Sequence, residues 1–134
     1  MPLVITESFN LDTNLLCSPC LVYDPLTGNS CHAKAIWDTG ATLSCISPTI
    51  AKTLNLSAVG TTTNHTANGS TASNKHIVDI AIGNIRFQKI AVTSPPLPDD
   101  FVLIGMDLIG LGKFTVQNMN ENGEVKKVLT LELP

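Results

Sequence analysis

The sequence is poor in aromatic residues, poor in charge and free of long apolar runs, and each shortage excludes something. Aromatics make up 4% of the 134 residues, so a core must be built from Val, Ile, Leu and Ala. Charged residues are 14% and hydrophobic ones 43%, a balance that fits a globular chain and not a disordered one. The formal net charge is −3, with no basic stripe. That speaks against nucleic acid as a partner, because phosphate backbones are held by clustered Lys and Arg. No apolar run reaches the roughly 18 residues of a membrane span, so no membrane partner is expected. The start, "MPLVITESFN", lacks the basic residues and apolar stretch of a secretion signal, which makes a cytoplasmic protein the expectation. One domain over residues 1–134, long enough for a real core, is expected.

Cysteine is present but badly placed for a site. Cys17 and Cys20 form a C-x-x-C, and Cys31 directly precedes His32. Zinc would need a second well-spaced ligand pair, and two adjacent residues do not easily wrap a tetrahedron. A redox pair belongs at a helix N-terminus after a strand, whereas "LLCSPCLVY" reads as strand throughout. Reduced, mostly buried thiols are expected, with no metal and no cofactor. Cys45 sits among apolar strand residues and reads as core.

Strand patterns fill the rest. "TNLLCSPCLVYD" (13–24) reads as a strand interrupted near Pro19, and "CHAKAIW" (31–37) as its hairpin partner across "DPLTGN". "LSCIS" (43–47) reads as a short strand. Ser47 then offers an N-cap and Pro48 a first helical residue, with Ile50, Ala51 and Leu54 as the buried face. Residues 57–76 are polar and Thr-rich, with Asn68-Gly69 in the middle, the strongest short hairpin signal in the chain. "IVDIAIG" and "IRFQKIAV" alternate and meet at Gly83-Asn84; alternation puts Asp79 outward. "FVLIG" (101–105) is short and fully apolar, "MDLIGLG" allows a brief helix, and a last hairpin turns at "NENG" (120–123). About ten strands and two short helices make an all-β, compact, closed barrel-like or sandwich-like fold.

One stretch stands apart: "AIWDTGATLSCIS" (35–47). An apolar run drives into Asp38, and the chain breaks at once into Thr-Gly-Ala-Thr. A carboxylate taken out of water must be paired, hydrogen-bonded or protonated. Asp, Thr and Gly are also ordinary turn residues, so this tripeptide alone decides nothing. Downstream, Val102-Leu103-Ile104-Gly105 forms an apolar strand ending in glycine, followed by helical residues. A glycine-tipped hairpin lies between the two motifs. This combination resembles the retropepsin-like aspartic proteases, from about residue 13 to the end. The "LIGMDLI" segment is similar to the bacterial and cellular branch more than the viral one. Viral members usually carry Arg directly after the glycine, where this chain has Met106, and often a second acid after the first motif, where it has Thr42 and Leu43.

The resemblance implies an aspartic protease half-fold and an aspartic endopeptidase. Two carboxylates would share one proton about a water, one acting as general base and the other as general acid. The chain offers one Asp-Thr-Gly, so the second Asp38 would come from another copy, which makes a homodimer the implied partner. Asp38, Thr39 and Gly40 would form the catalytic loop: Thr39 turned into the partner's loop, Gly40 donating its N–H to the Asp38 carboxylate. Ala41 would leave room for substrate, and Gly105 would let the Val102–Gly105 strand pass close under the loop. The hairpin tip at Asn68 and Gly69 would be a flap closing over an extended peptide or protein substrate. His65, near the flap, reads as an exposed, solvated side chain. Trp37 should face the core, Asp107 should sit in a first helical turn, and the segments "LVITES" and "KVLTLEL" should lie near the dimer interface because their edges need partners. The alternative is a catalytically inactive relative that uses the same fold to bind a peptide or to dimerise; the intact Asp-Thr-Gly-Ala argues against it.

Overall fold

A computed structural model describes residues 3–66 and 69–134. In chain order its elements are β1 (Leu3–Phe9), β2 (Cys17–Tyr23), β3 (Ser30–Trp37), β4 (Cys45–Ile46), α1 (Pro48–Thr53), β5 (Gly60–Thr66), β6 (Gly69–Ile82), β7 (Ile85–Thr93), β8 (Phe101–Ile104), α2 (Met106–Ile109), β9 (Lys113–Glu121) and β10 (Glu124–Leu133). Six strands run in the order β2-β3-β8-β4-β7-β6, and β6 returns to β2 through Leu21–Tyr23, which closes a barrel of mixed direction. The β3–β8 and β4–β7 pairs are parallel and the others antiparallel. A second sheet, β1-β10-β9, covers one side. These observations bear out the barrel-like all-β expectation and its two short helices.

The turns follow from local chemistry. Asp24 Oδ1 accepts the Leu26 N–H at 3.0 Å and so nucleates the β2–β3 turn. Asn122 (φ 55°) and Gly123 (φ 83°) supply the two left-handed residues of a two-residue β9–β10 turn. Ser47 Oγ accepts the Ile50 N–H at 3.1 Å, and Pro48 opens α1, which buries Ile50. Inward-facing Val22, Ala35, Ile46, Val78, Ile80, Val102 and Ile104 fill the barrel. The second sheet adds Ile5, Leu129 and Leu131 to the same core. Trp37 faces inward as expected: its ring meets Phe114 with centroids 5.8 Å apart, and its Nε1–H donates to Ser18 Oγ at 2.8 Å. The indole N–H brought into the core is thereby satisfied.

Several local expectations are corrected. Pro19 does not interrupt β2. It lies opposite Lys34, whose N–H turns away to Asp100 O, so the proline's missing donor faces the open side of the strand. The strand expected over 43–47 shrinks to Cys45–Ile46, because Ser44 is bound to a side chain and not to a ladder. Cys45 is half-buried and not core; its thiol meets Thr93 Oγ1 at 3.3 Å. The polar arm and the apolar strand read as separate pieces are one continuous β6, which pairs with β5 along its first part and with β7 along its second. The interface edges also change: β10 is paired along both sides, with β1 and with β9, so its edges are not open.

Asp79 keeps the alternation of β6, opposite in phase to buried Val78 and Ile80, yet it is only 5% exposed. Across from it Gln88 and Lys89 form a bulge in β7, between Phe87 opposite Ile80 and Ile90 opposite Val78. The Asp79 carboxylate accepts the Lys89 N–H at 2.8 Å and the Arg86 Nε–H at 3.0 Å, and Arg86 Nη2 lies 2.9 Å away. The guanidinium in turn stacks 3.8 Å over the Tyr23 ring. Replacing Asp79 by Ala leaves a backbone donor without its partner, while partly exposed Arg86 regains water. We expect a loss of about 2 kcal/mol in unfolding free energy, read by denaturant titration; an unchanged midpoint would contradict this role.

Candidate active site

Asp38 leaves the barrel at the end of β3, and its N–H still donates to Ile104 O at 2.9 Å, one step beyond the parallel β3–β8 ladder. The backbone then turns: the Ala41 N–H reaches Asp38 O at 3.1 Å. The Gly40 N–H donates to Asp38 Oδ1 at 2.9 Å, as the motif led us to expect. Trp37 is buried, Asp38 is half-buried, and Thr39 and Gly40 are exposed. The carboxylate therefore sits at the surface end of a buried strand.

The loop is clamped from below. The Met106 N–H donates to Ala41 O at 2.8 Å and the Asp107 N–H to Thr42 O at 3.2 Å. At Gly105 a Cβ would lie 2.8 Å from Leu43 C and 2.9 Å from Ala41 O, so only glycine permits this approach. Val102 and Ile104 are fully buried, while Leu103, of opposite phase, is half-buried. Ala41 is half-buried beside the turn. Gly69 is exposed at the start of β6, opposite Thr66, whereas Asn68 and the side chain of His65 fall outside the described residues.

One supporting group was not legible in the sequence. Asp107 Oδ2 accepts the Ser44 N–H at 3.0 Å and Oδ1 accepts the Ser44 O–H at 2.7 Å. Ser44 is fully buried, and its oxygen accepts the Gly105 N–H at 3.0 Å. In the first turn of α2, Asp107 Oδ1 also accepts the N–H of the next residue, Leu108, at 3.0 Å. The first-turn position read for Asp107 is right, but its larger task is to tie the loop after Asp38 to Gly105. No local pattern announces a bond across 63 residues.

Cavities of about 420, 320 and 270 Å³ lie elsewhere, and Asp38 lines none of them. Among the described residues no cluster of His, Cys, Asp or Glu could hold a metal ion. The C-x-x-C reading fails for a geometric reason: residues three apart on a strand face opposite sides. Cys17 lines an outer cavity, while Cys20 is buried inside. Burial, with a smaller push from Cys31, raises the Cys20 thiol to about 12, and burial also raises Cys31 and Cys45. Cys20 should resist alkylation at pH 8 until the protein is unfolded. The sign for stability follows. Unfolded Cys20 ionises near its ordinary value of 9.0 and folded Cys20 only near 12. Stability should therefore fall as pH rises from 9.0 towards 12, by about 1.4 kcal/mol per pH unit for this one thiol. A Cys20→Ala variant should lack that component; an unchanged slope would contradict it.

Comparison with known proteins agrees with this geometry. Residues 26–110 match the family described as "gag-polyprotein putative aspartyl protease". No curated protein matches the sequence. Among solved structures, the fold is similar to a retropepsin-like aspartic protease from Rickettsia conorii, with TM-score 0.59 and 20% identity, covering 99% of this chain and 96% of that one. It is also similar to the Simian Foamy Virus (mac) protease, with TM-score 0.51 and 17% identity, covering 71% and 92%. A barrel carrying Asp-Thr-Gly at one strand end, crossed under by an apolar strand ending in glycine, belongs to the retropepsin-like aspartic protease family, and so does this chain. No helix of the described residues is long and apolar enough to cross a membrane.

Proposed function

We propose that the protein is an aspartic endopeptidase that works as a homodimer, with one Asp38 from each copy. The observation that carries this reading is the Gly40 N–H held on Asp38 Oδ1 at 2.9 Å, in a loop fixed from below by Gly105, Ser44 and Asp107. That bond orients one carboxylate oxygen and leaves the other for a water or for the second carboxylate. Two such groups at a two-fold axis share a proton: the ionised one removes a proton from water as it attacks the scissile carbonyl, and the protonated one donates to the carbonyl oxygen. Thr39, exposed beside Asp38, is suited to meet the partner's loop, and Ala41 keeps the floor of the site open for an extended peptide. The β5–β6 hairpin, which carries Gly69 near its tip, acts as the flap that excludes water. With β10 paired on both sides, the open outer edges of β1 and β9 are the strands free to meet another chain.

The test is digestion of a peptide library across pH. A shared-proton pair gives a bell-shaped rate profile with two apparent values belonging to the pair. A rate that climbs steadily into alkaline pH would sink the mechanism. Specific activity should also fall on dilution, as dimers separate. Full activity from a protein that sediments as a monomer would contradict the shared site.

A further inference from the structure

The cavity of about 320 Å³ lies away from Asp38, between the β2–β3 turn and the root of the β5–β6 hairpin. Its walls are Pro25, Leu26, Leu56, Val59 and Ile77, with Asp24, Ser57 and Lys89 supplying the polar groups. Leu26 and Val59 are 88% and 61% exposed, so apolar surface is held open to water here. The volume is at the lower end of those that hold small ligands.

The backbone spends strain to bring a cation to this cavity. Lys89 has φ 54°, a conformation that lysine adopts rarely. Buried Asp79 holds it there through the Lys89 N–H at 2.8 Å, within a bulge of β7 formed by Gln88 and Lys89. Bulges re-aim side chains, and this one leaves Lys89 lining the apolar walls. The Lys89 ammonium has no carboxylate partner among the described residues, whose ion pairs involve Lys34, Arg86 and Lys126. Asp24 is the opposing charge in the lining. One of its oxygens is occupied by the Leu26 N–H at 3.0 Å, and the carboxylate remains an acceptor.

An apolar hollow with one unpaired cation and one acceptor matches a particular chemistry. We propose that this cavity binds the C-terminal end of a peptide whose last residue is apolar. The free carboxylate meets Lys89, the last peptide N–H meets Asp24, and the side chain enters between Leu26, Leu56, Val59 and Ile77. A peptide end of this kind is also what an endopeptidase releases. The regulatory consequence rests on that reading, whereas the binding itself does not. The cavity touches both roots of the hairpin: the Val59 N–H donates to Lys75 O at 2.8 Å, and Ser57 O is bonded to the ring of buried His76 at 3.0 Å. An occupant therefore stiffens the base of the flap, and product would slow further turnover.

Binding is measured on the Asp38→Asn protein, which keeps the outcome independent of any cleavage. N-acetyl-leucyl-leucine is titrated against its C-terminal amide while the methyl signals of Leu26, Leu56, Val59 and Ile77 are followed by NMR. The acid should shift these four residues and bind about tenfold more tightly than the amide. Lys89→Asn, chosen because Asn tolerates positive φ, should erase that preference with an unchanged melting temperature. Equal binding of acid and amide, retained preference in Lys89→Asn, or shifts confined to other residues would overturn the proposal. A Val59→Asp variant, which closes the hollow to apolar groups, should bind neither probe.

Discussion

Asp38→Asn should reduce kcat/KM for any cleaved peptide by on the order of 10³-fold or more while the melting temperature stays within a degree or so. Asn keeps the shape of Asp and still accepts the Gly40 N–H through its oxygen, so the turn held by that 2.9 Å bond survives. What is lost is the capacity to ionise. A pair of amides offers no base for the water and no shared proton for the carbonyl oxygen. Asp38 is only half-buried, and its carboxylate makes no ion pair among the described residues, so the fold has little reason to depend on its charge. Circular dichroism and a peptide-library digest on the same preparation separate the two effects. Appreciable cleavage by Asp38→Asn would remove the aspartic mechanism altogether.

Gly105→Ala should cost about 3 kcal/mol of stability and should take activity with it. The added methyl carbon would lie within 3 Å of three backbone atoms, Leu43 C, Ala41 O and Leu43 O. Backbone cannot swing aside as a side-chain tip can, so the strand and the loop must separate. Separation stretches the Met106 N–H bond to Ala41 O and the Gly105 N–H bond to Ser44 Oγ, both of which fix the floor under Asp38. Chemical denaturation gives the stability, and kcat/KM per folded molecule gives the displacement of the loop. An alanine variant as stable as the parent would show that the close crossing is not a constraint.

The parts of this molecule that could be read from sequence are those governed by neighbours in the chain. Ser47-Pro48 announced α1 because capping acts over three residues, and Asn122-Gly123 announced its turn because positive φ is a local demand. The Gly40 bond to Asp38 was legible for the same reason, since it spans two residues. What failed depended on distant chain. Alternation put Asp79 on the face opposite Val78 and Ile80, where it lies, but could not show that Lys89 and Arg86 of the next strand close over its carboxylate and bury it. Ser44 and Asp107 looked like a strand residue and a helix-end acid, and only the crossing at Gly105 brings them together. The β10 strand was read as an open edge because its apolar pattern is the same whether its neighbours come from its own chain or from another, and β1 and β9 turned out to take both sides.

The central claim is that one active site takes Asp38 from two chains, and mixing tests it most directly. Wild type and Asp38→Asn are unfolded together, refolded at varying ratios and assayed at a fixed total concentration high enough to keep dimers intact. If both acids are needed, only pairs with two wild-type chains cleave, and activity falls as the square of the wild-type fraction, to about one quarter in an equal mixture. Activity that falls in direct proportion, to about one half, would mean that each chain works alone, and the shared-site account would be wrong.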